Sequence, residues 1–156
     1  MACPKWIRSI SLAMMLAAVS LVATSVLYRL HKGKPIFMPE FSDISFKETW
    51  RSGRSDRRFP SILSQAPGIL WVAIVQDKLL VSPHFPFNLG LVGEALGWDH
   101  IVPGNSIVEV QVPSSGRAAG SVKLRYRHLT GDEEMLHLVV QDREAFVAAL
   151  AKIRVK

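Results

Sequence analysis

Apolar and polar residues alternate along two neighbouring stretches near the C-terminal end of the chain. Every second residue is apolar in 122–126, where Val, Leu and Tyr alternate with Lys and Arg, and a similar apolar row follows in 136–140. Thr130, Gly131 and Asp132 lie between them and are typical of a tight turn. The pattern predicts a β-hairpin with one apolar face.

A helix is predicted over residues 142–154. Asp142 is a good N-cap, and Glu144 lies where the positive end of the helix dipole favours a negative charge. Apolar residues then recur at helical spacing and form a single face. They are Phe146, Ala149, Leu150 and Ile153. The hairpin and this helix together predict a β-sheet closed by a C-terminal helix.

A first strand is predicted in residues 41–50, where alternation places Ile44, Phe46 and Trp50 on the buried side. The pattern then stops. Residues 51–58 contain four arginines and no apolar side chain, which is typical of an exposed loop.

A second hairpin is predicted in residues 68–81, with its turn at 76–78 and a position at the centre of the sheet. Residues 85–98 are apolar but interrupted by three glycines. Their large apolar side chains could form a membrane-dipping or partner-binding patch, but we expect them to belong to the core, because large exposed apolar patches are uncommon. They are Phe85, Phe87, Leu89, Leu91 and Trp98. A further strand in 106–112 is expected to turn Val108, Val110 and Val112 inward.

An uncharged apolar run occupies residues 10–27, and with Ser9 it would rise about 28 Å as a helix, close to the thickness of the hydrocarbon core. Basic residues flank it, and Trp6 and Tyr28 stand at its ends, where aromatic rings favour the membrane interface. This predicts a single-pass anchor over 1–28, then a Pro- and Lys-containing linker over 29–40 and a β domain over 41–156.

The competing interpretation of the same run is a cleaved signal peptide, because small residues at Ala18 and Ser20, or at Ala23 and Ser25, fit a cleavage rule. In that case the mature chain would begin near Leu21 or Val26. A helix buried within a soluble protein is the third interpretation of the run. The flanking charges nearly balance, so the sequence does not determine which side of the membrane the domain faces.

The chain carries a net charge of +6, and the position of the excess matters more than its size. Residues 1–58 contain ten Lys or Arg against four Asp or Glu, whereas residues 59–156 contain nine of each. Basic charge beside an apolar run suits an anionic membrane surface better than nucleic acid, and we expect no nucleic-acid partner. Cys3 is the only cysteine, so an intramolecular disulfide and a multi-thiolate metal site are both excluded.

Six blocks of the chain carry a resemblance to known proteins. They are WVAIVQDKLLVSPHFPFNL, GWDHIVP, SIVEV, VKLRYR, EMLHLVV and DREAFVAAL. Together they resemble bacterial membrane-linked proteins with a GRAM-like or pleckstrin-homology-like domain. The resemblance implies a bent antiparallel sheet or partial barrel capped by the C-terminal helix, and it implies the bacterial inner membrane. It also implies that the domain docks lipid or protein.

In pleckstrin-homology domains that bind phosphoinositides, basic residues gather around the loop after the first strand. The residues that match this feature here are Lys47, Arg51, Arg54, Arg57 and Arg58. A guanidinium fork matches phosphate geometry, which makes these residues the main candidates for binding an anionic headgroup or a partner. Lys123, Arg125 and Arg127 form a second basic row that cross-strand neighbours such as Glu109 would neutralise.

The four histidines of the β domain lack the spacing of a metal site, and the sequence contains no nucleotide-binding or nucleophile-elbow motif. We therefore expect no metal and no cofactor. The function predicted from the sequence is a non-catalytic, membrane-anchored docking module that binds a protein partner or an anionic lipid surface. The alternative is a secreted or periplasmic enzyme subunit whose signal peptide is removed.

Overall fold

The computed structural model describes residues 5–31, 33–34, 36, 42–55, 65–88, 96–113, 121–128 and 130–154. Within these residues a long N-terminal helix precedes seven strands and a second α-helix. The elements are α1 (Lys5–His31), β1 (Ile44–Ser55), β2 (Gln65–Val75), β3 (Lys78–Pro83), β4 (His100–Pro103), β5 (Ile107–Gln111), β6 (Ser121–Arg127), β7 (Glu133–Val139) and α2 (Arg143–Arg154). The prediction of a mainly β chain with an N-terminal apolar helix and a C-terminal helix is confirmed.

All seven strands form one antiparallel sheet in the order β4-β3-β2-β1-β7-β6-β5. The edge strands β4 and β5 are joined by only the three residues Gly104–Ser106, so the sheet must curl to bring its edges together. A hydrogen bond of 2.8 Å between His100 Nδ1 in β4 and the hydroxyl of Tyr126 in β6 links the two ends. The predicted position of the β2–β3 hairpin at the sheet centre is wrong, since β1 occupies it.

The concave side of the curled sheet is covered by α2. Asp142 caps this helix as predicted, because its Oδ1 accepts from the N–H of Ala145 at 2.9 Å. The predicted apolar face of α2 is buried throughout, and Phe146 meets Phe46 of β1 with ring centroids 5.0 Å apart. Gly104 lies directly under the end of α2, where a Cβ atom would be 2.2 Å from the main-chain oxygen of Ile153.

The first strand continues to Ser55, so the prediction of an exposed loop from residue 51 is wrong for 51–55. Pairing of this stretch with β7 explains the difference, because the sheet supplies hydrogen-bonding partners on that side. The predicted burial of Trp50 is also wrong. Its φ is 57°, the register shifts between Glu48 and Arg51, and 55% of the side chain is exposed. Such a bulge re-aims a side chain.

A register shift between Ile107 and Glu109 also alters the faces of β5. Ile107 is buried, whereas Val108 and Val112 are exposed, so the predicted inward row of Val108, Val110 and Val112 is wrong for its two ends. The expectation that Phe85 and Phe87 belong to the core is wrong as well, since both are nearly half exposed.

Residues 11–31 of α1 have the length and composition of a membrane span, a property that signal sequences share. Side chains are exposed from Ser11 to Thr24, so this part of the helix is not covered by the β domain. Burial begins only in the last two turns, at Ser25 and Arg29.

Candidate functional site

Arg29, in the last turn of α1, is completely buried by the β domain. Its Nη2 donates to the hydroxyl oxygen of Ser82 in β3 at 3.2 Å, and its Nη1 donates to the main-chain oxygen of Asn88 at 3.4 Å. Nη2 also lies 3.7 Å from a carboxylate oxygen of Asp99. Arginine is almost never fully buried unless it is paired, so these contacts fix the end of α1 to the domain.

The segment that follows α1 is attached to the same place. Lys34 Nζ lies 2.6 Å from the Asp99 carboxylate, which is 7% exposed and so receives two cations in a nearly dry position. The Asn88 side-chain amide donates to the main-chain oxygen of Ile36. We call this set of residues, Arg29, Lys34, Ser82, Asn88 and Asp99, the junction.

The junction lies on the convex face of the sheet, opposite α2. Trp71, Ala73 and Val75 of β2 are buried on this face, and Ile44 and Leu80 pack against them. Because the alternate residues of β2 belong to the main core, this strand is buried on both faces.

A cavity of about 260 Å³ lies between this convex face and the segment after α1. Apolar side chains of β2, β3 and β4 line it together with charged groups at its rim. Its lining residues include Lys34, Trp71, Lys78, Leu80, Asp99 and Ile101. Ile101 is 52% exposed, so the cavity has an apolar side chain available at its edge.

The basic residues predicted around the first strand do not converge. Lys47, Arg51 and Arg54 pair with different positions along β2. The step of seven residues from Lys47 to Arg54 corresponds to about 20 Å of strand. Arg54 is also opposite His137 of β7. Arg57 and Arg58 lie outside the described residues.

Arg51 takes part in a contact between β1 and the start of α2. Its Nε lies 2.9 Å from Glu48, and its Nη2 donates to the side-chain oxygen of Gln141 at 3.0 Å. The two carboxylate oxygens of Glu48 accept from the main-chain N–H groups of Gln141 and Asp142, each at 2.8 Å. Arg51 therefore stabilises the contact between β1 and the start of α2.

The second basic row is largely neutralised by the sheet, as its neighbours led us to expect. Arg125 lies 2.6 Å from Glu109 and 3.3 Å from Glu133, and Arg127 lies 3.5 Å from Glu133. Hydrogen bonds from Gln111 and from Arg125, with the charge of Arg125, lower the pKa of the Glu109 carboxyl. Lys123 is half-buried between Gln111 and His137.

Within the part of the chain that the structure describes, no three His, Cys, Asp or Glu residues come together as metal ligands. The sequence predicts for Arg29 only a role as a flanking charge, and it predicts no role for Asp99. An arginine just after an apolar run resembles any membrane flank, and no local pattern connects it with Ser82 or Asp99. Comparison of the chain with protein-family models, with curated proteins and with solved structures finds no significant match.

Proposed function

We propose that the chain is a single-pass membrane protein that holds a pleckstrin-homology-like β domain against the membrane as a non-catalytic docking module for a protein partner. The observation that carries the proposal is the burial of Arg29. Arg29 lies in the last turn of an apolar helix whose N-terminal part is exposed. Its contacts with β3 and with Asp99 attach the helix to the domain.

Retention of α1 is supported by its regularity. The helix continues without interruption to His31, so both candidate cleavage positions lie within regular helix, and Ser25 is buried. Proteolysis needs backbone that is accessible and free of regular hydrogen bonding. A permanent anchor therefore fits the arrangement better than a removed signal peptide.

The pleckstrin-homology-like assignment is supported by the strand order. A central β1 pairs with both halves of a curled antiparallel sheet, and a C-terminal helix covers the sheet. Of these features, the curled antiparallel sheet and the C-terminal helix that covers it are the ones that the sequence resemblance implies. Because one fold serves many functions, the assignment supports a docking role only in combination with the site.

The contacts that the arginines make within the domain favour a protein partner over an anionic headgroup. Arg51, Arg125 and Arg127 are engaged with carboxylates or an amide of the domain itself, which weakens their attraction for lipid phosphate. The cavity beside the junction offers instead apolar side chains with a charged rim, which is the composition of protein-binding surfaces. We propose this cavity and Ile101 as the docking surface.

Membrane fractionation and intact mass of the expressed full chain test the anchor. We expect a product of about 17.3 kDa that stays with membranes after alkaline extraction. A soluble product that begins near Leu21 or Val26 would contradict the proposal and favour the secreted or periplasmic enzyme subunit.

Hydrogen exchange of the full chain in lipid nanodiscs separates the two docking ligands. If the domain has no headgroup site, as we propose, we expect the hydrogen-exchange rates in β1 to be the same in neutral nanodiscs and in nanodiscs that contain phosphatidylserine. Protection around Arg51 and Arg54 that requires the anionic lipid would favour the lipid surface. Photo-crosslinking from position 101 in cells, with position 130 as the exposed control, then reports a partner at the cavity.

A further inference from the structure

We infer that the turn after β3, with Trp50 beside it, forms an aromatic patch that inserts into the headgroup region of the bilayer next to α1. The inference rests on the proposed membrane anchoring. It assigns a membrane-contacting surface to the domain in addition to the membrane span itself.

The patch consists of three aromatic side chains that are about half exposed. Trp50, Phe85 and Phe87 are 55%, 45% and 46% exposed, although side chains of this kind usually provide core. Trp50 belongs to the patch because its ring stacks on that of His84 at a centroid distance of 4.6 Å and an interplanar angle of 2°. The bulge in β1 turns Trp50 outward, so β1 and the turn after β3 contribute to one surface.

The turn that carries the patch is attached to the end of α1. Its first and last residues are connected by a hydrogen bond of 3.2 Å from Asn88 N–H to the His84 oxygen. The Asn88 oxygen accepts from Arg29, and the Asn88 side chain bonds to the backbone just after α1. Phe87 therefore precedes Asn88, which is hydrogen-bonded to the Arg29 side chain of α1.

The depth of Arg29 places this attachment at the membrane interface. Arg29 follows Leu27, the last residue of the uncharged run, by two residues, which is a rise of about 3 Å along the helix. The headgroup region on each side of the hydrocarbon core is about 5–7 Å thick. The turn bonded to Arg29 is thus at the level of the headgroups whenever α1 spans the bilayer.

The chemistry of the patch also favours lipid as its occupant. The last turns of α1 also keep exposed apolar side chains, with Leu27 at 66% and Leu30 at 62%, so the helix to which the turn is bonded still has an apolar surface for lipid at this level. Aromatic rings with a polar edge, such as the Trp50 indole, are enriched at the membrane interface. Insertion would bury the rings without requiring a second protein.

Site-specific fluorescence quenching of the full chain in phosphatidylcholine vesicles tests this inference. Cys3→Ser removes the native thiol, and an environment-sensitive dye is then attached at Phe87→Cys or, as a second probe, at Trp50→Cys. Leu16→Cys in the span and Thr130→Cys in the β6–β7 turn are the references. The quencher is a nitroxide carried near the headgroup end of the lipid acyl chain.

We expect several-fold stronger quenching at positions 87 and 50 than at position 130, with a blue-shifted emission. If position 16 is quenched while both patch positions behave like position 130, the patch inference is overturned and the anchor stands. If position 16 is not quenched, the anchor itself fails and the inference fails with it. Circular dichroism of each labelled chain establishes that the domain is folded, and the two patch probes lie in different parts of it, position 50 in β1 and position 87 in the turn after β3.

Discussion

The guanidinium of Arg29 lies 3.7 Å from the carboxylate of Asp99, and this contact connects the last turn of α1 to the residue preceding β4. Arg29 is fully buried and the Asp99 side chain is 7% exposed. Removing one partner of a buried ion pair leaves a charge without compensation, which costs about 3–5 kcal/mol. The stability of the junction therefore depends on Asp99.

We expect Asp99→Asn to lower the free energy of unfolding of the full chain by about 3 kcal/mol, because Arg29 and Lys34 both lose their counter-charge. Denaturant titration in detergent micelles measures the change. The matched control is Asp77→Asn, which changes an exposed turn carboxylate and should alter stability by less than about 0.5 kcal/mol. Equal effects of the two substitutions would remove the junction as a stabilising element.

Glu48 is expected to be the most sensitive residue of the contact between β1 and α2. Glu48→Ala leaves the N–H groups of Gln141 and Asp142 without their acceptor and should cost about 1–3 kcal/mol. Hydrogen exchange should show faster opening of the first turn of α2. Asp43→Ala, at an exposed position before β1, is the control, and an unchanged first turn in Glu48→Ala would contradict the assignment.

Gly104 has no room for a side chain. In Gly104→Ala the new Cβ would approach the main chain of Ile153, so either α2 or the connection between the edge strands must move, at a cost of about 1–3 kcal/mol. Thermal unfolding measures the loss. Asn105→Ala, at the exposed neighbouring position, should leave the midpoint almost unchanged, and a similar shift in both variants would argue against tight packing here.

The lowered pKa of Glu109 predicts an order among three substitutions. The hydrogen bond from Gln111 is the largest cause, followed by the hydrogen bond and charge of Arg125. Gln111→Ala and Arg125→Gln should therefore each raise the pKa, and Arg127→Gln, which removes none of these causes, should change it least. Carbon-detected NMR titration of the carboxyl measures each value, and the reverse order would contradict the assigned causes.

The same group contributes to stability in a definite pH range. Because the folded-state pKa of Glu109 is below its unfolded value, its contribution is present above the unfolded pKa and is lost as pH falls through the folded pKa. Glu109→Gln should make stability less dependent on pH in the acid range. A steeper acid dependence than that of the natural chain would contradict this sign.

The regular elements were predictable because local signals determine them. The cap at Asp142, the helical spacing up to Ile153 and the turn between β2 and β3 each depend on residues close in the chain. The outward turn of Trp50 was not predictable, because a bulge depends on pairing with β2 and leaves the alternation of residue types unchanged.

The junction was not predictable for a related reason. Nothing near Arg29 in the sequence distinguishes a buried arginine from one that meets headgroups, since its partners are Ser82 in β3 and two residues, Asn88 and Asp99, that lie between β3 and β4. The structure of the arginine-rich stretch, residues 51–58, was predicted incorrectly in part. Composition alone predicted a loop, whereas pairing of residues 52–55 with β7 makes part of it a strand.

The distance along the chain between Arg29 and its acceptors sets an order of events during synthesis. Ser82 and Asn88 follow it by 53 and 59 residues, so the ribosome has completed the apolar helix long before either acceptor exists. In the proposed membrane protein, the guanidinium therefore meets water or lipid phosphate first and is one of the positive flanks of the helix during insertion. Its later burial turns a flanking charge of the nascent helix into the contact that holds the finished domain to that helix.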